Sequence, residues 1–286
     1  MSDVGDLAWA SLETSTDELV TEETVRGAVE AAFDAGRIQR DALGRLGRAD
    51  ARSKSSRRDL VTTVDVASER AIVSRLRAIN GAHAIEAEEE VHDEDDGRPR
   101  WFVDPLDGTV NYFHGLPLFC VSIGLYRGLE PVLGIVHAPA LGETFVSAAG
   151  AGAHQLRGAH AGAAPLSVAA ETCELADAVL ATGFPYRRGE LEHSNLENFS
   201  RFFHEVRGMR RMGSAALDLA FVAAGRLDGF WELHLSPFDV AAGAALVLEA
   251  GGAVTDARGG QDWLRGGSIV AAPGELAALM RSRIEA

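Results

Sequence analysis

Lysine is almost missing from this chain of 286 residues: Lys54 is the only one among 27 basic side chains, and all the others are arginine. That bias, with abundant Asp, Glu, Ala and Gly, suits a GC-rich genome or adaptation to high salt. A lysine kept in such a background is either a chance survivor or a place where a compact ammonium does what a planar guanidinium cannot. Cysteine is scarce too. Cys120 and Cys173 are the only two, which excludes a disulfide framework, a metal knuckle and a redox pair, and fits a reducing cytoplasm. Positive charge is outnumbered, 27 basic against 42 acidic residues for a net charge of −15. The balance argues against nucleic acid and membrane partners and leaves cations and soluble metabolites. Long apolar runs are lacking: no early stretch reads as a signal peptide, and Val240 to Leu248 is too short to span a bilayer and is broken by Gly243.

Familiar catalytic signatures are also missing. Lys54 follows Ser53, so there is no Walker A glycine-lysine, and neither a GxSxG elbow nor an HExxH pair occurs. His92 to Gly97 lacks the acidic positions of a calcium loop. The nine histidines show no ligand spacing; His114 is read as a structural or solvent residue, with substrate contact as the alternative.

What is present is 47% apolar residues, enough for a large core in one domain or two. Residues 1–20 are acidic and aperiodic, and read as a loosely held N-terminal extension. From Thr21, apolar residues at Val25, Ala28, Val29, Ala32 and Phe33 predict a long amphipathic helix, and Val66 to Ile79 predicts another with Asp65 at its mouth. Strands expected at Trp101 to Asp104, Phe119 to Tyr126, Pro131 to His137 and Glu143 to Ser147 form an antiparallel meander. The Gly/Ala-rich stretch Gly150 to Ala164 marks a boundary near Pro165, giving lobes 21–165 and 166–286. In the second, strands at Ala178 to Thr182, Gly229 to Leu233 and Ser268 to Ala271 alternate with helices at His193 to Val206, Ser214 to Ala224, Asp239 to Glu249 and Gly274 to Ile284. That order suggests a mixed sheet with helices on its faces.

Function is sought in WFVDPLDGTVN, Trp101 to Asn111. Asp104 and Asp107 sit across a proline-directed turn where both carboxylates can lean toward one point, and their repulsion in a partly dry site calls for a hard cation such as Mg²⁺. The amides of Gly108 and Thr109, at the start of a helical stretch, would cradle an anion such as phosphate. The alternative is a surface loop in which Pro and Asp-Gly only mark a turn. Asp65 and Asp239 read equally as helix caps, and Glu88 to Glu90 as a solvated charge run.

Taken together, five blocks carry more: KSSRRDLVTTVD from Lys54, IEAEE from Ile85, WFVDPLDGTVNYFHGLP from Trp101, MGSAALDLAFVAAGRLDGFWE from Met212, and PFDVAAGAALVLEAGG from Pro237. In this order they resemble the inositol monophosphatase family of magnesium-dependent, lithium-sensitive phosphatases, kin to fructose-1,6-bisphosphatases. The resemblance implies a layered α+β or α/β sandwich (αβαβα) of sugar-phosphatase type, with an antiparallel-sheet N-terminal lobe and a mixed-sheet C-terminal lobe. It implies a homodimer and two to three Mg²⁺ ions. Glu88, Asp104 and the carbonyl of Leu106 would hold the first; Asp104, Asp107 and Asp239 the second; a third would lean on Glu88 and waters. Thr109, bonded to Asp65, would with Glu88 align and deprotonate the attacking water, Gly108 and Thr109 amides would hold the phosphate, and Lys54 would approach from a mobile loop. Asp107, Glu232 and the backbone at Ser214 and Ala215 would meet substrate hydroxyls.

Two departures stand out: Ala87 replaces the family's glycine before the paired acids, and Phe238 its tryptophan before Asp239. Neither removes a ligand. The implied activity is inositol-1-monophosphatase, with fructose-1,6-bisphosphate, histidinol phosphate and phosphoadenosine phosphate as alternative substrates. A haloacid-dehalogenase-type phosphatase is a rival, but its paired aspartates stand two apart and it leaves Glu88 and Asp239 unexplained. A non-catalytic metal-dependent binding module is the non-enzymatic alternative.

Overall fold

Against the expectation of a loosely held N-terminal extension, residues Ser2–Leu12 form a helix, α1, whose Ala8 and Leu12 are fully buried. Val4, Leu7, Ala8 and Leu12 recur at helical spacing, and one apolar stripe of that kind suffices to dock a short helix. The segment after it is tied down by Ser15 Oγ, which donates to the Ala149 carbonyl at 2.6 Å, and by Arg127, which grips Asp17 at 2.9 Å. The computed structural model describes residues 2–45, 51–53, 60–156, 162–169, 174–186, 188–191 and 194–285. Lys54, Cys173 and His193 lie outside the described residues.

Thr21 opens α2 (Glu22–Ala42) by accepting from the Thr24 amide at 3.1 Å, and Glu22 and Glu23 complement the helix dipole. Beside it runs α3 (Thr63–Ile79), after a two-stranded ribbon of β1 (Ala51–Ser53) and β2 (Leu60–Thr62). Seven strands follow in one sheet, ordered as in the chain: β3 (Ala84–Ala87), β4 (Arg100–Asp107), β5 (Cys120–Arg127), β6 (Glu130–Ala138), β7 (Glu143–Ala148), β8 (Gly152–Leu156) and β9 (Ala163–Pro165). All neighbours are antiparallel except β3 and β4, which are parallel. The expected meander is therefore longer than read, since β8 and β9 lie in the stretch taken for a boundary.

A second sheet has the order β11 (Gly208–Arg210), β10 (Val179–Thr182), β12 (Gly229–Leu233), β14 (Ser268–Ala272), β13 (Ala253–Thr255). Its first three strands are parallel and the last two join antiparallel, a mixed sheet. The remaining helices are α4 (Thr109–Phe113), α5 (Leu196–Phe203), α6 (Ala215–Ala223), α7 (Pro237–Glu249) and α8 (Gly274–Arg281).

Strand alternation sorts the side chains into layers. Trp101, Val103, Val121, Ile123 and Leu125 face α1, α2 and α3, whereas Phe102, Cys120 and Tyr126 face α6 and α7. Phe230, Ile269 and Ala271 of the second sheet join that middle layer, while Trp231 and Val270 turn the other way onto Phe202, Leu276 and Met280 of α5 and α8. The result is an αβαβα sandwich. Because both faces of the long sheet are covered, its strands read as nearly unbroken apolar runs.

The middle layer is thin, and glycine makes it so. A Cβ at Gly134 would lie 2.7 Å from the Ala242 carbonyl, and one at Gly124 would lie 3.0 Å from Ala241 Cβ. The Ala-rich α7 therefore rests directly on β5 and β6. That contact fixes where its first turn, which carries Asp239, meets the ends of the strands.

Candidate active site

Sequence reading ends the first motif strand at Asp104, but β4 continues to Asp107, across a break in register. Asp104 pairs with Ser122 and Asp107 with Cys120, so β4 holds one residue more than its partner between those points. A regular strand would send residues three apart to opposite faces; the bulge brings Asp104 and Asp107 back to one side. Pro105 fits there because it has no amide to give a ladder. Asp104 Oδ1 accepts from the Leu106 amide at 2.9 Å, closing a local turn. Gly108 has φ +92°, and a Cβ on it would stand 2.8 Å from the Leu118 carbonyl, so only glycine fits. The chain then enters α4 at Thr109, whose first amides have no acceptor within the helix.

The other acids arrive from separate elements. Because β3 runs parallel to β4 with Ala87 opposite Val103, the Glu88 amide donates to the Val103 carbonyl at 3.1 Å, and Glu88 emerges beside Asp104. The turn after it is shaped by Glu69 of α3, whose carboxylate accepts from the amides of Glu89, Glu90 and Val91 at 2.7, 2.7 and 3.1 Å. Asp65 and Asp239, both expected at the site, also close the capping boxes of α3 and α7. Asp65 Oδ2 accepts from the Thr62 amide at 2.9 Å, while Oδ1 takes the Thr109 hydroxyl at 3.0 Å; that hydroxyl also lies 3.1 Å from the Leu106 carbonyl. Asp239 Oδ2 accepts from the Ser236 amide at 2.6 Å.

From the middle layer, Ser214 Oγ and the Ala216 amide each donate to Asp107 Oδ2 at 2.7 Å. Ser214 thus spends its hydroxyl on Asp107. Glu88, Asp107, Ser214, Ala215, Glu232 and Asp239 line one cleft of about 640 Å³, together with Phe184, Tyr186, Arg211 and His234. Asp104, Leu106, Thr109 and Asp65 do not line it and are buried. His114 is exposed, packs edge-on against Phe113 and is not among the lining residues.

The electrostatics report crowded carboxylates. Burial, then the charges of Glu88, Asp107 and Asp239, push Asp104 well above the usual carboxylate range. Burial with Glu88 and Asp107 does the same to Asp239, and burial raises Asp107 against the bonds from Ser214 and Ala216. Asp65 is raised to about 6, by burial opposed by its Thr62 bonds, with Glu88 adding to the rise. Burial pushes Glu232 up to about 8, with Arg211 opposing. Among the described residues no three acidic, histidine or cysteine side chains are drawn into a finished metal cage. The donor set is nonetheless all oxygen and mutually repulsive, the chemistry that suits a hard divalent cation.

Three positioning residues escaped the sequence reading. Glu69 is one. Gln39 Nε2 of α2 donates to the Pro105 carbonyl at 2.6 Å, and Asn111 Nδ2 reaches the carbonyls of Leu118 and Met212, both at 2.7 Å. Each bonds a backbone group far along the chain, which no local pattern announces.

The profile of the inositol monophosphatase family matches residues 21–286. An inositol-1-monophosphatase of Mesorhizobium japonicum is 42% identical over 249 residues, covering 85% of this chain and 89% of that protein. The protein called Nus factor SuhB in Pseudomonas aeruginosa is also 42% identical, over 253 residues and the same shares of the two chains. Among solved structures, an inositol monophosphatase from Anabaena superposes with a TM-score of 0.78 at 39% identity, covering 90% of this chain and 93% of that one. Among the described residues, no helix is long and apolar enough to cross a membrane.

Proposed function

Because the chain belongs to the inositol monophosphatase family, we propose that this phosphoric monoester hydrolase cleaves small polyol or sugar phosphates of the inositol-1-phosphate type, with Mg²⁺ as cofactor and Li⁺ as inhibitor. The observation that carries this reading is the gathering of Glu88, Asp107 and Asp239 at one cleft, with buried Asp104 within reach of the charges of all three and the Thr109–Asp65 pair bonded in the same motif turn. Glu88, Asp104, Asp107, Asp239 and the Leu106 carbonyl would hold the ions, which when bound neutralise the phosphate and activate water for in-line attack.

The chain's own residues do the rest. Asp65, fixed on one oxygen by Thr62, takes the Thr109 proton on the other and so turns the Thr109 lone pairs toward the water to be deprotonated. Amides at Gly108 and Thr109 receive the phosphate oxygens as charge shifts among them. Glu232, Ala215 and the Ser214 backbone orient the alcohol. The ammonium of Lys54, which lies outside the described residues, would by the family resemblance serve the phosphate charge. We take the protein to work in the cytoplasm as a homodimer.

Fructose-1,6-bisphosphate is the second substrate reading; histidinol phosphate and phosphoadenosine phosphate follow. Comparing phosphate release from these four compounds, with and without Mg²⁺, tests the assignment. No release from any of them would leave the non-catalytic binding module. The equal likeness to a Nus factor motivates one further reading, a place in a transcription complex. Co-purification of RNA polymerase subunits with the tagged chain tests that, and the net charge of −15 makes a protein contact, not RNA, the expected attachment.

A further inference from the structure

Asn195 stands at the N-terminal end of α5 with φ +71°, a left-handed conformation rare outside glycine, and is 1% exposed. An asparagine there ordinarily caps its helix; this side chain makes no capping bond. Instead every hydrogen-bonding valence is spent inward. Its Nδ2 donates to Thr182 Oγ at 2.9 Å and to the Gly183 carbonyl at 2.7 Å. Its Oδ1 accepts from Trp231 Nε1 at 2.8 Å and from Asn198 Nδ2 at 3.2 Å. Thr182 completes the circuit by donating to the Trp231 carbonyl at 2.6 Å.

Two strand ends are thereby clamped where the cleft begins. Trp231 precedes Glu232, and Gly183 precedes Phe184, Pro185 and Tyr186, which line the cleft. The fit is close, because a Cβ on Gly183 would fall 2.1 Å from both carboxylate oxygens of Glu232. Asn198, one turn along α5, holds the C-terminal segment: its Nδ2 donates to the Glu285 carbonyl and its Oδ1 accepts from the Glu285 amide, both at 2.9 Å. Arg201 adds a bond to the Arg283 carbonyl at 3.2 Å and an ion pair with Glu285 at 2.7 Å.

We propose that Asn195 is a positioning residue for the substrate wall formed by Gly183 and Glu232, and that the C-terminal residues 283–285 hold it in place through Asn198. Left-handed strain in a buried, non-capping asparagine persists because its bonds to β10, β12 and Asn198 over-determine it. The chain's last residues thus bear on substrate affinity, and the metal-side carboxylates are left untouched. The kinetic half of the inference rests on the phosphatase reading; the coupling itself does not.

The test uses full-length Asn195→Gly, which keeps the left-handed backbone and deletes only the side chain, with Asn195→Asp and Asn198→Ala alongside. Amide hydrogen exchange at Gly183, Phe184 and Tyr186 is expected to quicken about tenfold in Asn195→Gly, with 106–109 unchanged. For inositol-1-phosphate, KM is expected to rise about tenfold while kcat and Mg²⁺ half-saturation stay within about twofold. Asn195→Asp, which keeps the Trp231 bond but sets a carboxylate oxygen against the Gly183 carbonyl, shifts exchange and KM at least as far. Asn198→Ala shifts exchange and KM the same way, and the double variant adds nothing to Asn195→Gly, as one shared path requires. Unchanged exchange at 183–186, or an equal rise at 106–109, overturns the proposal. If the unmodified protein turns over no phosphate ester, the phosphatase reading fails and exchange alone decides this one.

Discussion

The Thr109 hydroxyl points at Asp65 Oδ1 from 3.0 Å, while the other oxygen of the same carboxylate is held by Thr62. A capping residue of α3 is thus also the partner that orients a hydroxyl in the motif turn.

Thr109→Val and Asp65→Asn are each expected to lower kcat by about 10² to 10³ with KM nearly unchanged, the loss typical of a proton-handling pair. Thr109→Ser keeps the hydroxyl and most of the rate. Steady-state kinetics on inositol-1-phosphate separates these outcomes. Asp65→Asn also weakens the cap of α3, by about 1 kcal/mol in denaturant unfolding.

On the proposed magnesium reading, activation is expected to depend on pH. Asp104, Asp107 and Asp239 hold their protons above the usual carboxylate range, so a cation must displace them to bind. The Mg²⁺ concentration for half-maximal activity is expected to fall several-fold from pH 6 to pH 8. A Mg²⁺ titration at three pH values reads this, and calorimetry in buffers of different ionisation enthalpy reads the released protons.

His137 provides a pH effect remote from the cleft. It is buried against Phe33 with ring centroids 4.2 Å apart, and its Nδ1 pairs with Thr144 Oγ1 at 2.9 Å. Burial, with the charge of Arg40, pushes its pKa down to about 4. The folded state therefore refuses a proton that the unfolded chain takes up near pH 6.5. Stability from this group is complete above pH 6.5 and is lost as pH falls toward 4, by about 3 kcal/mol in all. Denaturant unfolding of the protein and of His137→Phe from pH 7 to 4 should show that loss only in the former.

Burial raises Glu232 to about 8, so the protonated form predominates at pH 7. Glu232→Gln is expected to keep KM within about threefold, and Glu232→Ala to raise it about tenfold. Gly183→Ala, whose Cβ must displace the carboxylate, should raise KM at least as much as Glu232→Ala. A KM series at pH 7 checks the order.

Much of the candidate site was legible because its carboxylates sit at element ends with local signatures, as Asp104 and Asp107 do around Pro105 and Gly108. The bulge in β4 was not, since it depends on the register of β5. Helix α1 was hidden by its acidic residues although Val4, Leu7, Ala8 and Leu12 carry its period. β8 and β9 were masked by Gly and Ala, weak strand formers that here are paired by their neighbours. The roles of Gln39, Glu69 and Asn195 exist only once distant backbone groups are brought to them, so periodicity could not announce them.

Phosphate release from inositol-1-phosphate, measured with and without Mg²⁺ for the protein and for Asp104→Asn, bears most directly on the central claim. Mg²⁺-dependent turnover is expected in the protein, and a loss of about 10³ or more in Asp104→Asn with the thermal transition intact. Near-normal turnover in Asp104→Asn, or no turnover by the protein with Mg²⁺ present, would contradict it.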